Sequence, residues 1–351
     1  MPIKSNQEIQ FAPLFKKFIT DSKSGRRVTA SGKRITKGTI YQYQIVYQLI
    51  VAFEKDLGRT VRIKILNTGS KKVLHIEKNY WKQFFRLFSG WLFQRGYFDK
   101  YVGAIAKILR TVFNYLIKEQ CLNIGSFHSQ FKVPTQQTLP IVLEPSQLKF
   151  LITDTEFQNR LTKKLERCND IFIFGCTVGL RFSDLMKLKK TDLQYTSDIV
   201  YVMLCTSKTG KQVKIPLPDY AIAIISKYKT RAGRYVLPRL ANTNFNLHVK
   251  ELIELAGWTY QQPKIRFQQG KPQILKNKKG YGYRFCDHIT AHTMRRTAIT
   301  TLLLMGVEEN IVRSISGHAP GSKEFYKYVA LVQTHMNKQV LKAFEKLIAD
   351  E

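Results

Sequence analysis

Acidic residues are scarce in this sequence: 25 Asp and Glu stand against 57 Lys and Arg. The resulting formal charge of +32 calls for a polyanionic partner, nucleic acid first and an acidic membrane surface second. Long apolar runs are missing. Nothing approaches the ~18 residues of a membrane span, and residues 1–10 have no secretory h-region. The five cysteines (Cys121, Cys168, Cys176, Cys205, Cys286) are scattered and form no CxxC pair. That excludes a disulfide framework and a cysteine-based zinc site. No clustered set of Asp and Glu is present, which disfavours a metal-dependent nuclease. No solenoid repeat appears either. What is present is globular: 44% hydrophobic and 12% aromatic residues exclude a disordered basic tail. A length of 351 residues is enough for two domains, each with its own core.

The positive charge is spread over the chain. Residues 1–135 hold 24 basic and 7 acidic residues, a net of +17; residues 136–351 hold 33 and 18, a net of +15. A membrane binder concentrates charge on one amphipathic helix. Two basic bodies instead suggest a nucleic acid gripped from two sides, with binding that weakens steeply as salt rises.

Hydrophobic spacing predicts a short helix over Phe11–Ser22, then a mobile basic loop carrying Arg26, Arg27, Lys33, Arg34 and Lys37. Residues 1–38 thus read as an N-terminal extension. Three helices follow, over Thr39–Leu57, Ile76–Gln94 and Lys100–Glu119, whose aromatic stripes read as the core of an all-α bundle spanning 39–125. Residues 126–143, with Pro134 and Pro140, read as an extended linker. A second domain spans 144–351 and opens with Pro145 in a first helical turn. It contains a buried helix ending at Gly179, a further helix from near Ser183, and alternating strands Ile199–Cys205 and Gln212–Leu217 that read as a hairpin. Helices over Tyr220–Thr230 and Asn244–Ala256 precede a basic hairpin or loop, Gln261–Arg284, and the rest is helical. The fold class is mainly α with a small β component.

Several polar residues of the second domain are conspicuous without being decisive alone. Arg181 sits at a break between two buried helices, where an arginine is commonly a structural anchor. Lys208 lies at a hairpin tip, and Lys211 follows it. His292 and Arg295 are three apart on one helical face, with Arg296 beside them. His318 is at a turn, with Tyr326 and Tyr328 shortly after. In order, Gly-Leu-Arg181-Phe-Ser-Asp184, Ser-Lys208-Thr-Gly, His292-Thr-Met-Arg295-Arg, Gly-His318 and Phe-Tyr326-Lys-Tyr-Val resemble the tyrosine recombinase (phage integrase) family. The motifs cover about half the chain, and the helical bundle with its linker is similar to the family's core-binding domain.

The resemblance implies an enzyme that breaks and rejoins DNA through a covalent 3′-phosphotyrosine and a Holliday junction, without metal or cofactor. Arg181 and Arg295 would hold the non-bridging phosphate oxygens with planar, permanently charged forks. His292 and His318 would donate hydrogen bonds to them, with His292 assisting proton transfer. Lys208 would protonate the 5′ leaving oxygen, and Asp184 would orient a histidine or serve as a helix-start cap. DNA contacts would come from Arg26, Arg27, Lys33, Arg34, Lys37, Lys211 and Arg296. The chain departs from the family in one spacing. The tyrosine usually lies nine residues after the second histidine, whereas Tyr326 lies eight after His318 and Tyr328 ten. Phe325-Tyr326-Lys327-Tyr328-Val329 fits the apolar-Tyr-x-aromatic-Val pattern and favours Tyr326. Val340, Phe344, Leu347 and Ile348 make an apolar stripe. It docks either on its own domain or, as the resemblance implies, on the next subunit of a homotetramer. The expected role is integration or excision of a mobile element on double-stranded DNA in the cytoplasm, at the nucleoid, with room for accessory DNA-bending proteins. The rivals are a non-catalytic DNA binder on the same fold and a type IB topoisomerase.

Overall fold

The computed structural model describes residues 8–66, 70–134, 136, 139–207, 210–319 and 321–349. The chain is mainly helical and forms two compact units. One contains residues 1–137 with Ile265–Leu275, the other residues 138–264 with 276–351.

The first unit begins with β1 (Glu8–Gln10) and α1 (Phe11–Ser24), followed by α2 (Lys37–Leu57), β2 (Arg62–Lys64), α3 (Lys71–Gln94) and α4 (Asp99–Lys118). Thr36 caps α2 by accepting from the Thr39 N–H, and Gly58 ends it at φ +68°, a backbone region that disfavours a side chain. The segment ahead of α2 is an integral part of the bundle and not an appendage. Phe11, Phe15 and Phe18 of α1 are fully buried against Trp81, Phe113, Tyr43 and Tyr115. Each burial contributes roughly 2–3 kcal/mol. β1 also pairs antiparallel with β2 in the register Ile9↔Ile63.

The expected mobile basic loop is a tied turn. Val28 bridges Arg34, and the Arg27 N–H donates to the Asp21 carbonyl at 3.1 Å. The Arg27 guanidinium points inward, stacked 4.1 Å over Phe18 and donating to Ser22 Oγ (2.8 Å) and Glu119 Oε1 (3.2 Å). Its expected role as a DNA contact is therefore corrected: the residue is 8% exposed and donates to partners inside the fold. Arg26, Lys33, Arg34 and Lys37 are exposed. The stretch read as an extended linker also begins inside the bundle, with a 3-10 turn at Phe127–Gln130 and Phe131 buried on Phe85 and Phe113.

The second unit runs through α5 (Pro145–Thr153), α6 (Thr155–Asn159), α7 (Lys163–Val178), α8 (Phe182–Leu185), β3 (Leu193–Tyr195), β4 (Val200–Cys205), β5 (Gln212–Leu217), α9 (Asp219–Lys227) and α10 (Asn242–Leu255). Of the two alternatives for Gln261–Arg284, hairpin or loop, strands β6 (Lys264–Gln268) and β7 (Lys271–Leu275) make it a hairpin, most of which belongs to the first unit. There the Gln269 and Gly270 N–H groups donate to the buried Asp99 carboxylate at 2.7 and 2.9 Å. The chain then completes the second unit with α11 (Phe285–His288), α12 (Ala291–Leu304), α13 (Glu309–Ser316) and α14 (Lys323–Ala349).

β4 lies between β3 and β5 in an antiparallel sheet, with Val202 opposite Ile215. Val202, Val213, Ile215 and Leu217 face the core, as the alternation in sequence requires. β3 was not foreseen, because three residues are too few to carry a period. The centre of the unit is the packing of α7 on α12. Gly175 makes this close approach feasible: a Cβ there would sit 2.3 Å from Met294 Sδ and 3.2 Å from Leu185 Cδ2. α7 is buried nearly all round, consistent with its uninterrupted apolar run.

Candidate active site

Gly179 stops α7 at φ +63°, and the chain turns through Leu180 so that Arg181 precedes α8. One face of α12 approaches that turn. Arg295, 3% exposed, donates from Nη1 to the Gly179 carbonyl at 3.0 Å, which ties the two arginine motifs together through backbone. Its Nη2 lies 3.3 and 3.2 Å from the two ring nitrogens of His318. Burial, then the Arg181 charge, pushes the Arg295 pKa down to about 10. Arg181 lies near enough for its charge to act on Arg295, and one Arg181 nitrogen, Nη1, is buried with no hydrogen-bond partner among the described residues.

His318 follows Gly317, which ends α13 at φ +63°. The His318 N–H donates to the Arg313 carbonyl at 3.0 Å, and Ser316 Oγ lies 2.8 Å from Nδ1. The Ser316 hydroxyl hydrogen is directed to the Val312 carbonyl at 2.6 Å. The network therefore assigns Nδ1–H as the donor to Ser316, leaving Nε2 to accept from Arg295. Burial, followed by the charges of Arg295, Arg181 and Arg313, pushes the His318 pKa down to about 4. His292 lies exposed one turn before Arg295. Desolvation and then Arg296, Arg295 and Arg181 push its pKa down to about 4 as well. Both rings are neutral at pH 7.

Asp184 is 2% exposed, and its Oδ1 accepts from the Ser207 N–H at 3.2 Å. Among the described residues no histidine hydrogen-bonds to it, so the structure gives no contact for the orienting role expected of it. It fastens the β4–β5 loop to α8 instead. Lys208, at the tip of that loop, lies outside the described residues. Lys211 closes the loop's far side and donates from Nζ to the His318 carbonyl at 3.3 Å. Arg296 is half-buried beside the cluster.

α14 separates the two tyrosines. Tyr326 is 52% exposed and lines a cleft of about 400 Å³ with Lys211, Arg313 and His318. Tyr328 is 6% exposed, with its ring packed 6.2 Å from both Phe325 and His318. Burial raises its pKa against the charges of Arg295 and Arg296. The solvent-reaching phenol is thus Tyr326, and the buried one is Tyr328. Farther along α14, Leu341 and Phe344 are exposed, while the side chains of Val340, Leu347 and Ile348 lie outside the described residues.

Sequence reasoning missed Arg313, Glu309 and Ser316. No sequence signal marked them: Arg313 is five residues ahead of His318, and only the fold brings it into the same cleft.

The family model of the phage integrase family matches residues 143–335, more than half of the chain and the whole of this cluster. The chain belongs to that family, the tyrosine recombinases. Among curated relatives, tyrosine recombinase XerC of Bacillus pumilus is 24% identical over 250 residues, covering 71% of this chain and 75% of that protein. Tyrosine recombinase XerD of Listeria innocua is 26% identical, covering 67% and 71%. In fold, the chain is similar to the XerH site-specific recombinase bound to its palindromic difH substrate. The TM-score is 0.61 at 13% identity, with 94% of each chain covered. It is also similar to a lambda integrase tetramer bound to a Holliday junction, with a TM-score of 0.55 at 13% identity, covering 92% of this chain and 78% of that one. No helix among the described residues is long and apolar enough to cross a membrane.

Proposed function

We propose that this tyrosine recombinase integrates or excises a mobile element by cutting one strand of duplex DNA per active site. Arg181 and Arg295 bind the non-bridging oxygens of the scissile phosphate, whose negative charge relieves the repulsion between the two guanidiniums. The observation that carries the reading is this pair: buried Arg295 anchored on the Gly179 carbonyl and half-buried Arg181 with a buried donor unspent. Preorganised charge of this kind stabilises the developing phosphorane without reorganisation. His292 and His318 add hydrogen bonds. The Tyr326 oxygen attacks phosphorus and gives its proton to the neutral His292 ring. The P–O5′ bond breaks, and Lys208 returns a proton to the leaving 5′ oxygen. The 3′-phosphotyrosine conserves the bond energy, so the incoming 5′ hydroxyl reverses the step on a new strand.

Arg26, Lys33, Arg34 and Lys37 on the first unit, and Lys211 and Arg296 beside the site on the second, hold the duplex backbone by charge. Assembly as a homotetramer on the DNA through the exposed apolar part of α14 would link neighbouring sites, and the protein would work at the nucleoid. The reading is tested with a nicked suicide duplex carrying a site that the protein selects from random-sequence DNA. A covalent band on a denaturing gel that persists in EDTA is expected. Strand scission without protein attachment would reject it.

A further inference from the structure

We propose that Arg313 is a positioning residue for Tyr326, an inference that rests on Tyr326 being the nucleophile. Arg313 is 9% exposed, in the last turn of α13. Its guanidinium carbon lies 4.0 Å from the centroid of the Phe325 ring and 5.0 Å from that of Tyr326. Both are within the ~6 Å over which a cation is held by an aromatic face. Phe325 is fully buried and Tyr326 is half-exposed. The guanidinium therefore connects an immobile ring to the ring that must move to reach phosphorus.

Two further contacts fix the plane and place of this group. Nη2 donates to Glu309 Oε2 at 3.1 Å, one turn earlier on α13. The Arg313 carbonyl accepts the His318 N–H at 3.0 Å, so the residue that faces the tyrosine also sets the histidine turn. Nη1 is buried without a hydrogen-bond partner among the described residues, beside the cleft that Tyr326, His318 and Lys211 share. A buried donor left unpaired costs free energy.

The arrangement also accounts for the shortened spacing. With Tyr326 only eight residues after His318, the backbone alone gives the first turn of α14 little hold on the ring. The Tyr326 N–H reaches the Ser322 carbonyl at 3.4 Å, near the limit of a hydrogen bond. Stacking on Arg313 provides the restraint from the side-chain end. Loss of such alignment slows attack while leaving DNA affinity alone, because a displacement of ~1 Å at the reacting atom is worth up to ~100-fold in rate.

The experiment measures single-turnover adduct formation on the nicked suicide duplex, together with duplex affinity and thermal melting. It compares unchanged protein, Arg313→Gln and Arg313→Lys. A matched duplex carries a bridging 5′ sulfur at the scissile position, whose departure needs no proton. Arg313→Gln is expected to react about 100-fold more slowly and Arg313→Lys about tenfold more slowly, since lysine keeps the charge but not the planar stack. Affinity should stay within about twofold, and the sulfur duplex should show the same deficits. If Arg313→Gln does not fold, the lysine variant decides on the same criteria. Rates equal to the unchanged protein, a deficit confined to affinity, or rescue by the sulfur duplex would overturn the inference. Failure of the unchanged protein to form any adduct would overturn the proposed function, and this inference with it.

Discussion

The His318 ring provides a quantitative handle on how the site receives its phosphate. In the free protein its pKa is about 4 against an ordinary 6.5, Nδ1–H is committed to Ser316, and Nε2 faces Arg295. It can donate to a phosphate oxygen from Nε2 only by gaining a proton. A phosphodiester charge ~5 Å away at an effective dielectric of ~20 contributes about 3 kcal/mol, or some 2.4 pK units. That is enough to bring the ring back to about 6.5. At pH 5.5 the free ring would be about 3% protonated and the bound ring about 90%, so binding should take up about 0.9 proton at this residue. Calorimetry of duplex binding in buffers of different ionisation enthalpy measures that number. His318→Gln, which keeps a donor but cannot titrate, should lower the uptake by nearly one proton. Uptake unchanged in His318→Gln, or a free-state ring titrating near 6.5 by NMR, would refute the reasoning.

The same ring links stability to pH. Its folded pKa lies below its unfolded value, so the fold favours the neutral form. The contribution is complete above pH 6.5 and is lost as pH falls from 6.5 through about 4. The loss is at most about 3 kcal/mol, and a denaturant midpoint followed against pH should fall over that window less steeply in His318→Gln. Gly175→Ala forces a methyl toward Met294 Sδ, and helix propensity offsets only part of the clash. Destabilisation of about 1–2 kcal/mol is expected by thermal melting, and the same change should cost less when made in a Met294→Ala background. Arg27→Ala should cost about 2 kcal/mol with duplex affinity unchanged, because its donors serve Ser22 and Glu119. Arg26→Ala/Lys33→Ala should leave stability within about 0.5 kcal/mol and flatten the salt dependence of binding.

The contrast between Arg27 and its neighbours shows where sequence reasoning reached its limit. All five basic residues of that segment look alike in a chain carrying +32, and only packing reveals that one of them is turned inward onto Phe18. The bundle helices were legible from aromatic spacing, and so was the β4–β5 hairpin from strict alternation. β1, β2 and β3 were not, since each has three residues. For the site, the residue types and their order were readable, but the contacts that arm them were not. Asp184 sits one helical turn from Arg181 in sequence, yet it grips the Ser207 backbone. Arg313 carries no motif and becomes visible only when α13 and α14 bring it over Phe325.

The central claim is that Tyr326, and not the buried Tyr328, becomes joined to DNA. Protein trapped on the suicide duplex, digested with nuclease and protease and sequenced by mass spectrometry, reports the modified residue directly. The account predicts a nucleotide remnant on Tyr326, its loss in Tyr326→Phe, and its persistence in Tyr328→Phe. A remnant on Tyr328, or adduct surviving in Tyr326→Phe, would contradict it.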